Sequence, residues 1–280
     1  MGYIRETYIA GKTIVVREKM KKNVKKGQKR APKSSITSDK VWWYNLKQSI
    51  FKLTLILNNN FIPGDHHLQL TYKVEPSTRT EAESDRKKFI RKVTAKCRKE
   101  GIDFKWVAVT AREGKRLHHH IVCSNIPMRI INECWPKEEK GIAFHNPLWD
   151  NPNYSKLAEY LLKEAAALHK EEGIISKRRF NTSRNIVIPE GKEEEISRRS
   201  IEADPKALKD YEIDEDSIQV YENEIIDSIC REYIMISTTE NPRIKKWRKG
   251  TTITGEYINY SKALREAYSE YQEEFKDLYL

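Results

Sequence analysis

The sequence has no apolar run near the ~20 residues that a membrane-spanning helix needs, and its first residues lack the apolar core of a signal peptide. Its four cysteines are far apart and form no CxxC pair (Cys97, Cys123, Cys134 and Cys230). This spacing argues against a disulfide framework and against a cysteine zinc site, and it favours reduced thiols. We therefore expect a cytoplasmic protein with no membrane partner.

A P-loop is also missing. The AGKT stretch at 10–13 has no glycine five residues before Gly11, and GTTITGE at 250–256 has Glu256 where the phosphate-binding lysine belongs. A glutamate at that position would repel phosphate groups. The sequence therefore predicts neither an ATPase nor a helicase domain built on this motif.

Positive charge, by contrast, is in excess. The 280 residues include 52 Lys and Arg against 41 Asp and Glu, which gives a net charge of +11. Arg17–Lys33 has nine basic residues against one Glu, and we interpret it as a flexible basic arm; KRRFNTSR at 177–184 is a second basic cluster. Such clustering favours a polyanionic partner, with nucleic acid ahead of a membrane surface, over a merely solvated basic face.

Hydrophobic periodicity predicts a mixed order of strands and helices. His66–Val74 alternates as a strand, Thr78 and Glu81 are spaced as the capping box of a helix, and 103–111 with 117–124 form a predicted hairpin. The order predicts an α+β fold, with a central antiparallel sheet of about five strands and helices on one face. We divide the chain into N-terminal strands, the basic arm and a helix at 1–60, a core at 61–190, and an acidic segment, a strand and a basic helical tail at 191–280.

Three of the seven histidines are consecutive, in the stretch KRLHHHIVCSN. Since side chains alternate along a strand, His118 and His120 should face one side and His119 the other. Same-face neighbours lie roughly 6 to 7 Å apart, a spacing that one metal ion can bridge. A hydrogen-bonded polar strand face is the alternative. We expect His119 to pack or hydrogen-bond on the opposite face.

Tyr160 and Lys163, in LAEYLLKEA, are three residues apart on a predicted helix and so share a face. A tyrosine hydroxyl is a useful nucleophile when a cation stabilises its phenolate or a metal polarises the phosphate it attacks. An interfacial tyrosine beside a solvated lysine is the alternative. The histidine strand about 40 residues upstream favours the chemical interpretation over the structural one.

LHHHIV followed by YLLK resembles the HUH endonuclease superfamily, whose motifs are His-hydrophobic-His and Tyr-x-x-Lys, with His119 at the hydrophobic position. HLQLTYK, HHHIV, LAEYLLKE and SRNIVIP, in that order, resemble rolling-circle replication initiators of Gram-positive phages, plasmids and integrative elements, over roughly residues 15–236. The tyrosine follows the histidines, as in initiators and single-tyrosine transposases and unlike conjugative relaxases. The resemblance implies the RRM-like palm of the HUH fold.

The resemblance also implies an activity. His118 and His120 would hold Mg²⁺ or Mn²⁺, Tyr160 would attack the scissile phosphate, and Lys163 would stabilise the developing charge. The product would be a 5′-phosphotyrosine link and a free 3′-OH that starts rolling-circle replication of a mobile element. The implied partner is single-stranded or hairpin origin DNA, with a host helicase and polymerase as further partners.

One position departs from the pattern. Related initiators read Val-Thr-Glu in the neighbouring strand, whereas this chain has Ala111, which cannot bind a metal. Glu113 has the same strand parity and is the candidate third ligand, although an exposed turn residue is an equally open interpretation. If Glu113 does not serve, the alternative function is a catalytically impaired DNA-binding relative that recognises an origin or operator hairpin. An RRM-like RNA-binding module is disfavoured because the RNP aromatic pattern is missing.

The predicted DNA contacts are basic and amide side chains in and around the second basic cluster and the histidine hairpin. Arginines contact phosphates, and an amide reads a base edge or closes a backbone turn. A plain turn feeding a strand is the alternative for NTSRNIVIP. The predicted set is Arg116, Lys177, Arg178, Arg179, Arg184 and Asn185.

Overall fold

The computed structural model describes residues 2–21, 39–113, 116–171, 178–223 and 228–239. These residues form an α+β fold with two antiparallel five-stranded sheets and five helices, which confirms the predicted fold class. The second sheet was not predicted. Within the described ranges, no helix is both long enough and apolar enough to span a membrane.

The secondary structure elements follow in chain order. They are β1 (Tyr3–Ala10), β2 (Thr13–Met20), α1 (Asp39–Asn60), β3 (His66–Leu70), α2 (Arg79–Lys99), β4 (Trp106–Glu113), β5 (Arg116–Cys123), α3 (Met128–Cys134), β6 (Ala143–Pro147), α4 (Ser155–Glu171), β7 (Asn181–Thr182), β8 (Gly191–Ile196), α5 (Arg198–Glu202), β9 (Tyr211–Asn223) and β10 (Ser228–Ser237). One sheet has the order β6-β3-β5-β4-β7, and the other has the order β8-β1-β2-β10-β9.

Contacts divide the chain into two compact units. One contains the described residues of 1–60 and 153–241, and the other those of 61–152. The first unit joins the N-terminal strands with segments that follow them by more than 130 residues, so grouping in space does not follow the order of the sequence. The predicted division at 1–60, 61–190 and 191–280 stays a prediction.

In the unit of residues 61–152, α2 packs its apolar face onto the central strands. Phe89, Val93 and Cys97 join Leu68 and Ile121 in one buried core. The predicted capping box is confirmed. The Thr78 hydroxyl accepts a hydrogen bond from the backbone N–H of Glu81 at 3.2 Å, and the Glu81 carboxylate accepts in return from the Thr78 N–H at 3.3 Å.

The predicted β4–β5 hairpin is confirmed, and its register fixes which residues face one another. His118 lies opposite Ala111, and His120 lies opposite Val109 on β4 and Gln69 on β3. His67 of β3 is two residues from Gln69 and so lies on the same face as the His118–His120 pair. Leu68 and Ile121 point into the core on the other face.

In the unit of residues 1–60 and 153–241, the first residues of the predicted basic arm belong to a strand, so the predicted arm begins too early in the sequence. Residues 17–20 belong to β2, and Arg17 is buried there rather than solvated. Its guanidinium donates to Glu232 at 2.8 Å and to Gln48 at 2.7 Å, and it lies 3.5 Å from the centroid of the Phe51 ring. These contacts stabilise the buried guanidinium of Arg17, which was predicted to lie in a flexible arm. Residues 22–33 of the predicted arm lie outside the described residues.

The acidic segment predicted to follow residue 190 contributes strands β8, β9 and β10 to the same sheet. Arg231 of β10 donates to the Glu18 carboxylate of β2 at 2.7 Å, and Arg5 of β1 donates to the other oxygen of Glu18 at 2.7 Å. Glu18 is fully buried. A single carboxylate therefore links three neighbouring strands.

The asparagines that end α1 also hydrogen-bond, through their side chains, to three other segments of the chain. The Asn58 side chain accepts from the Tyr154 N–H at 2.9 Å and donates to the Thr13 hydroxyl at 3.0 Å. Asn60 accepts from the Val187 N–H at 2.9 Å and donates to the Val187 carbonyl at 2.7 Å. The amides thus fix α1 to β2, to the start of α4 and to the segment after β7.

Candidate metal centre

The candidate metal centre starts from two side chains of β5. His118 and His120 are both buried, at 3% and 1% exposure, and their Nε2 atoms lie 3.0 Å apart. Two neighbouring ligands of an octahedral ion with bonds of ~2.1 Å are separated by about 3.0 Å. The strand has therefore brought two ligand atoms to the spacing that one ion requires.

The flanking contacts restrict where the protons of this pair lie. Nδ1 of His118 is 3.3 Å from the carbonyl oxygen of Arg116, which can only accept, so that contact requires the N–H at Nδ1. A neutral imidazole has one N–H, and Nε2 of His118 then presents a lone pair. Nε2 of His120 either donates to that lone pair or, with its proton on Nδ1, presents a second one to a cation.

Glu164 of α4 completes a group that could hold a metal ion. One ligand atom from each of His118, His120 and Glu164 lies within 4.8 Å of the others. Glu164 is half-buried. Two imidazole nitrogens and one carboxylate oxygen are the donors that divalent first-row ions accept, Mn²⁺ among them, and the residues present therefore fit a divalent cation.

Sequence reasoning missed Glu164. Its signal was available, because it follows Tyr160 by four residues and so lies one turn further along the same face of α4. The predicted third ligand was Glu113 instead. The side chain of Glu113 lies outside the described part of the chain, so its role stays a prediction. Ala111 is fully buried opposite His118 and offers no ligand.

His119 occupies the opposite face of β5, and this prediction is confirmed. It is fully buried and contacts the Tyr72 hydroxyl at 2.7 Å through Nε2 and the Thr110 hydroxyl at 3.0 Å through Nδ1. Burial lowers the pKa of His119 well below its usual value, and the nearby Arg86 lowers it further. His119 is therefore a neutral, hydrogen-bonded part of the core.

Tyr160 and Lys163 both lie on α4, as predicted. Tyr160 is half-buried, and the Lys163 ammonium forms an ion pair with Glu159 at 2.8 Å, one turn before it. Lys163 is 57% exposed, so this pair is a solvated one of small energetic value. The ammonium is thus able to exchange Glu159 for another anion at little cost.

The predicted DNA contacts have different environments. Arg116, Arg178, Arg184 and Asn185 are exposed, the last two in a turn after β7, whereas Lys177 lies outside the described residues. Arg179 is engaged with α1, because its guanidinium donates to the Asn45 carbonyl at 3.3 Å and to the Ser49 hydroxyl at 3.0 Å. Their contacts with DNA stay a prediction.

Comparison of the chain with protein-family models, with curated proteins and with solved structures finds no match. The chain's own motifs and the geometry of the histidine pair are therefore the basis for inferring its function.

Proposed function

We propose that the protein is a metal-dependent, single-tyrosine endonuclease that nicks single-stranded or hairpin origin DNA to start rolling-circle replication of a mobile element. The observation that carries the proposal is the group of His118, His120 and Glu164, whose ligand atoms lie within 4.8 Å of one another. The sequence supports the same chemistry through the resemblance of HHHIV and LAEYLLKE to HUH initiators.

In the proposed reaction, Tyr160 is the nucleophile. Its phenol oxygen bonds to the scissile phosphorus, the phenol proton departs, and the bond from phosphorus to the 3′ oxygen breaks. The 3′ oxygen takes up a proton and becomes a free 3′-OH, while the 5′ phosphate stays on the tyrosine. A bound Mg²⁺ or Mn²⁺ would withdraw charge from the phosphate oxygens.

The positions of the side chains on α4 support these roles. Tyr160 and Glu164 share one helix face, so the residue that joins the histidine pair is one turn from the nucleophile. Lys163 lies beside both on the helix, and its solvated ion pair leaves it able to contact a phosphate. The exposed Arg178 and Arg184 are suited to hold the DNA backbone.

The test is formation of a covalent protein–DNA adduct. Purified protein with Mn²⁺ is incubated with labelled single-stranded DNA that contains inverted repeats from beside its reading frame, and adducts are separated under denaturing conditions. We expect an adduct whose modified peptide contains Tyr160, and none with Tyr160→Phe. Tyr72→Phe is the matched control and should retain it, since Tyr72 contacts His119 on the opposite face of β5.

Failure of the wild-type protein to form an adduct, or an adduct formed by Tyr160→Phe, would exclude this nucleophile. Ala111 favours one second candidate, a non-cleaving protein that binds an origin or operator hairpin, because it leaves β4 without a ligand opposite His118. Hairpin binding at nanomolar concentration together with no Mn²⁺ binding would support that candidate.

A further inference from the structure

His67, on the strand next to the histidine pair, lies against the second nitrogen of His120. Nε2 of His67 is 3.1 Å from Nδ1 of His120, and both rings are buried, at 5% and 1% exposure. The contact is on the side of the ring away from Nε2 of His120, which faces His118 at 3.0 Å. His67 therefore contacts a metal-binding side chain without being placed among the candidate ligands.

Two proton arrangements fit this row of three rings. In one, His120 carries its proton on Nε2 and donates it to His118, so both candidate ligand atoms are occupied by a single hydrogen bond. In the other, His120 carries its proton on Nδ1 and donates it to Nε2 of His67, so that Nε2 of His120 presents a lone pair. Only the second arrangement lets both Nε2 atoms bind one cation.

We propose that His67 is a positioning residue that sets the tautomer of His120 and thereby makes Nε2 of His120 available to a divalent cation. The nitrogen of a histidine that binds a metal is determined by the hydrogen bond that the other nitrogen makes. For His118 the partner is the Arg116 carbonyl, at 3.3 Å from Nδ1. For His120 the partner is a side chain, and a substitution can remove it.

The strand pairing explains why His67 is able to act in this way. β3 and β5 are antiparallel neighbours, with Gln69 opposite His120 and His67 opposite Val122. His67 is thus diagonal to His120 on the same face, a relation in which long side chains of adjacent strands make contact. Both rings are buried, and a hydrogen bond between them is electrostatically stronger there than in water.

The role rests on the proposed metal centre, and its test uses metal binding rather than DNA cleavage. The full-length protein, stripped of metal, is titrated with MnCl₂ alone, and the dissociation constant is measured by calorimetry for wild type and variants. His67→Leu removes the acceptor and should weaken Mn²⁺ binding by about tenfold to a hundredfold. His67→Gln can place an amide oxygen near the position of Nε2 and should bind within about threefold of wild type.

A stability control separates positioning from folding. His66 is the preceding residue of β3, is equally buried, and hydrogen-bonds on the opposite face to the Ile126 carbonyl at 2.8 Å. His66→Leu should lower the urea midpoint of the metal-free protein without changing its dissociation constant for Mn²⁺. His67→Asn, which is too short to reach His120, substitutes for His67→Leu if the latter does not fold, and it should bind as weakly.

The tautomer itself gives a second readout. Imidazole ¹⁵N chemical shifts of the metal-free protein should show a larger fraction of the Nδ1–H form of His120 in wild type and His67→Gln than in His67→Leu or His67→Asn. Equal Mn²⁺ affinity in wild type and the folded Leu or Asn variant would overturn the role, as would a Gln variant as weak as Asn. Wild type that binds no Mn²⁺ would overturn both the role and the metal centre. Mn²⁺ binding without DNA cleavage would overturn only the proposed nickase.

Discussion

At the scale of single residues, histidines with the same chemistry serve different purposes because of the face on which each lies. His118 and His120 share a buried face with His67, whereas His119 and His66 are hydrogen-bonded on the other face. Strand alternation predicted the division of the triplet from the sequence alone. The proposed role of His67 was not predictable from the sequence, because it depends on the register of β3 against β5.

The neutral state of His119 should make the stability of the protein depend on pH. Its pKa in the folded chain is well below the usual 6.5, so below that pH the unfolded chain binds a proton that the folded chain does not. The free energy of unfolding that His119 contributes is therefore complete above pH 6.5 and falls as the pH decreases. One proton of difference corresponds to about 1.4 kcal/mol per pH unit.

His119→Leu tests this dependence. At pH 8 the variant should be less stable by about 1 to 3 kcal/mol, because the Thr110 and Tyr72 hydroxyls lose a partner. At pH 5 the difference from wild type should be smaller, since the variant has no imidazole to protonate on unfolding. Urea titrations with a chelator present measure both values. A difference that is constant from pH 8 to pH 5 would contradict the assignment.

At the scale of secondary structure elements, local signals were sufficient where an element is stabilised by its own sequence. The capping box of α2 and the β4–β5 hairpin are of this kind, and both were predicted. β8 was not predicted, because its sequence GKEEEI is exposed along almost its whole length and has the pattern of a solvated acidic segment. It forms a strand by pairing with β1, more than 180 residues earlier, and no local pattern reveals such a partner.

Helix α4 carries the next prediction, which concerns two glutamates on one element. Glu164 belongs to the candidate metal group, whereas Glu159 pairs with Lys163. Glu164→Ala should weaken Mn²⁺ binding by about tenfold or more, since it removes a charged ligand. Glu159→Ala, with the same change in charge and helix propensity, should leave the dissociation constant nearly unchanged. Comparable losses in both variants would indicate a general electrostatic effect rather than ligation.

At the scale of the whole molecule, a buried charge joins distant parts of the chain. Glu18 accepts from Arg231, which is 213 residues away, and the Arg231 guanidinium also donates to the carbonyls of Ser200, Ile201 and Ala203 around the end of α5. Removing one partner from such a buried network leaves the others uncompensated. No local pattern in the sequence predicts this network, because Glu18 lies in the predicted basic arm and Arg231 in the predicted C-terminal segment, more than 200 residues apart.

Two substitutions around Arg5 distinguish buried from exposed charge. Arg5 contacts the fully buried Glu18 and the half-exposed Glu194, each at 2.7 Å. Glu18→Gln should lower the free energy of opening of β2 and β10, measured by amide hydrogen exchange, by about 3 kcal/mol or more. Glu194→Gln should change it by about 1 kcal/mol or less. Equal decreases in the opening free energy for the two substitutions would contradict the larger contribution expected of the buried carboxylate.

The pairing of β2 with β10 also has a consequence for synthesis on the ribosome. At roughly 5 to 20 residues per second, a separation of 213 residues corresponds to roughly 10 to 40 s between the emergence of Glu18 and that of Arg231. Until β10 has been synthesised, β2 lacks its neighbour on that edge and Glu18 lacks Arg231. A strand edge left unpaired is a template for pairing with other chains, and β10 removes this hazard when it joins β2.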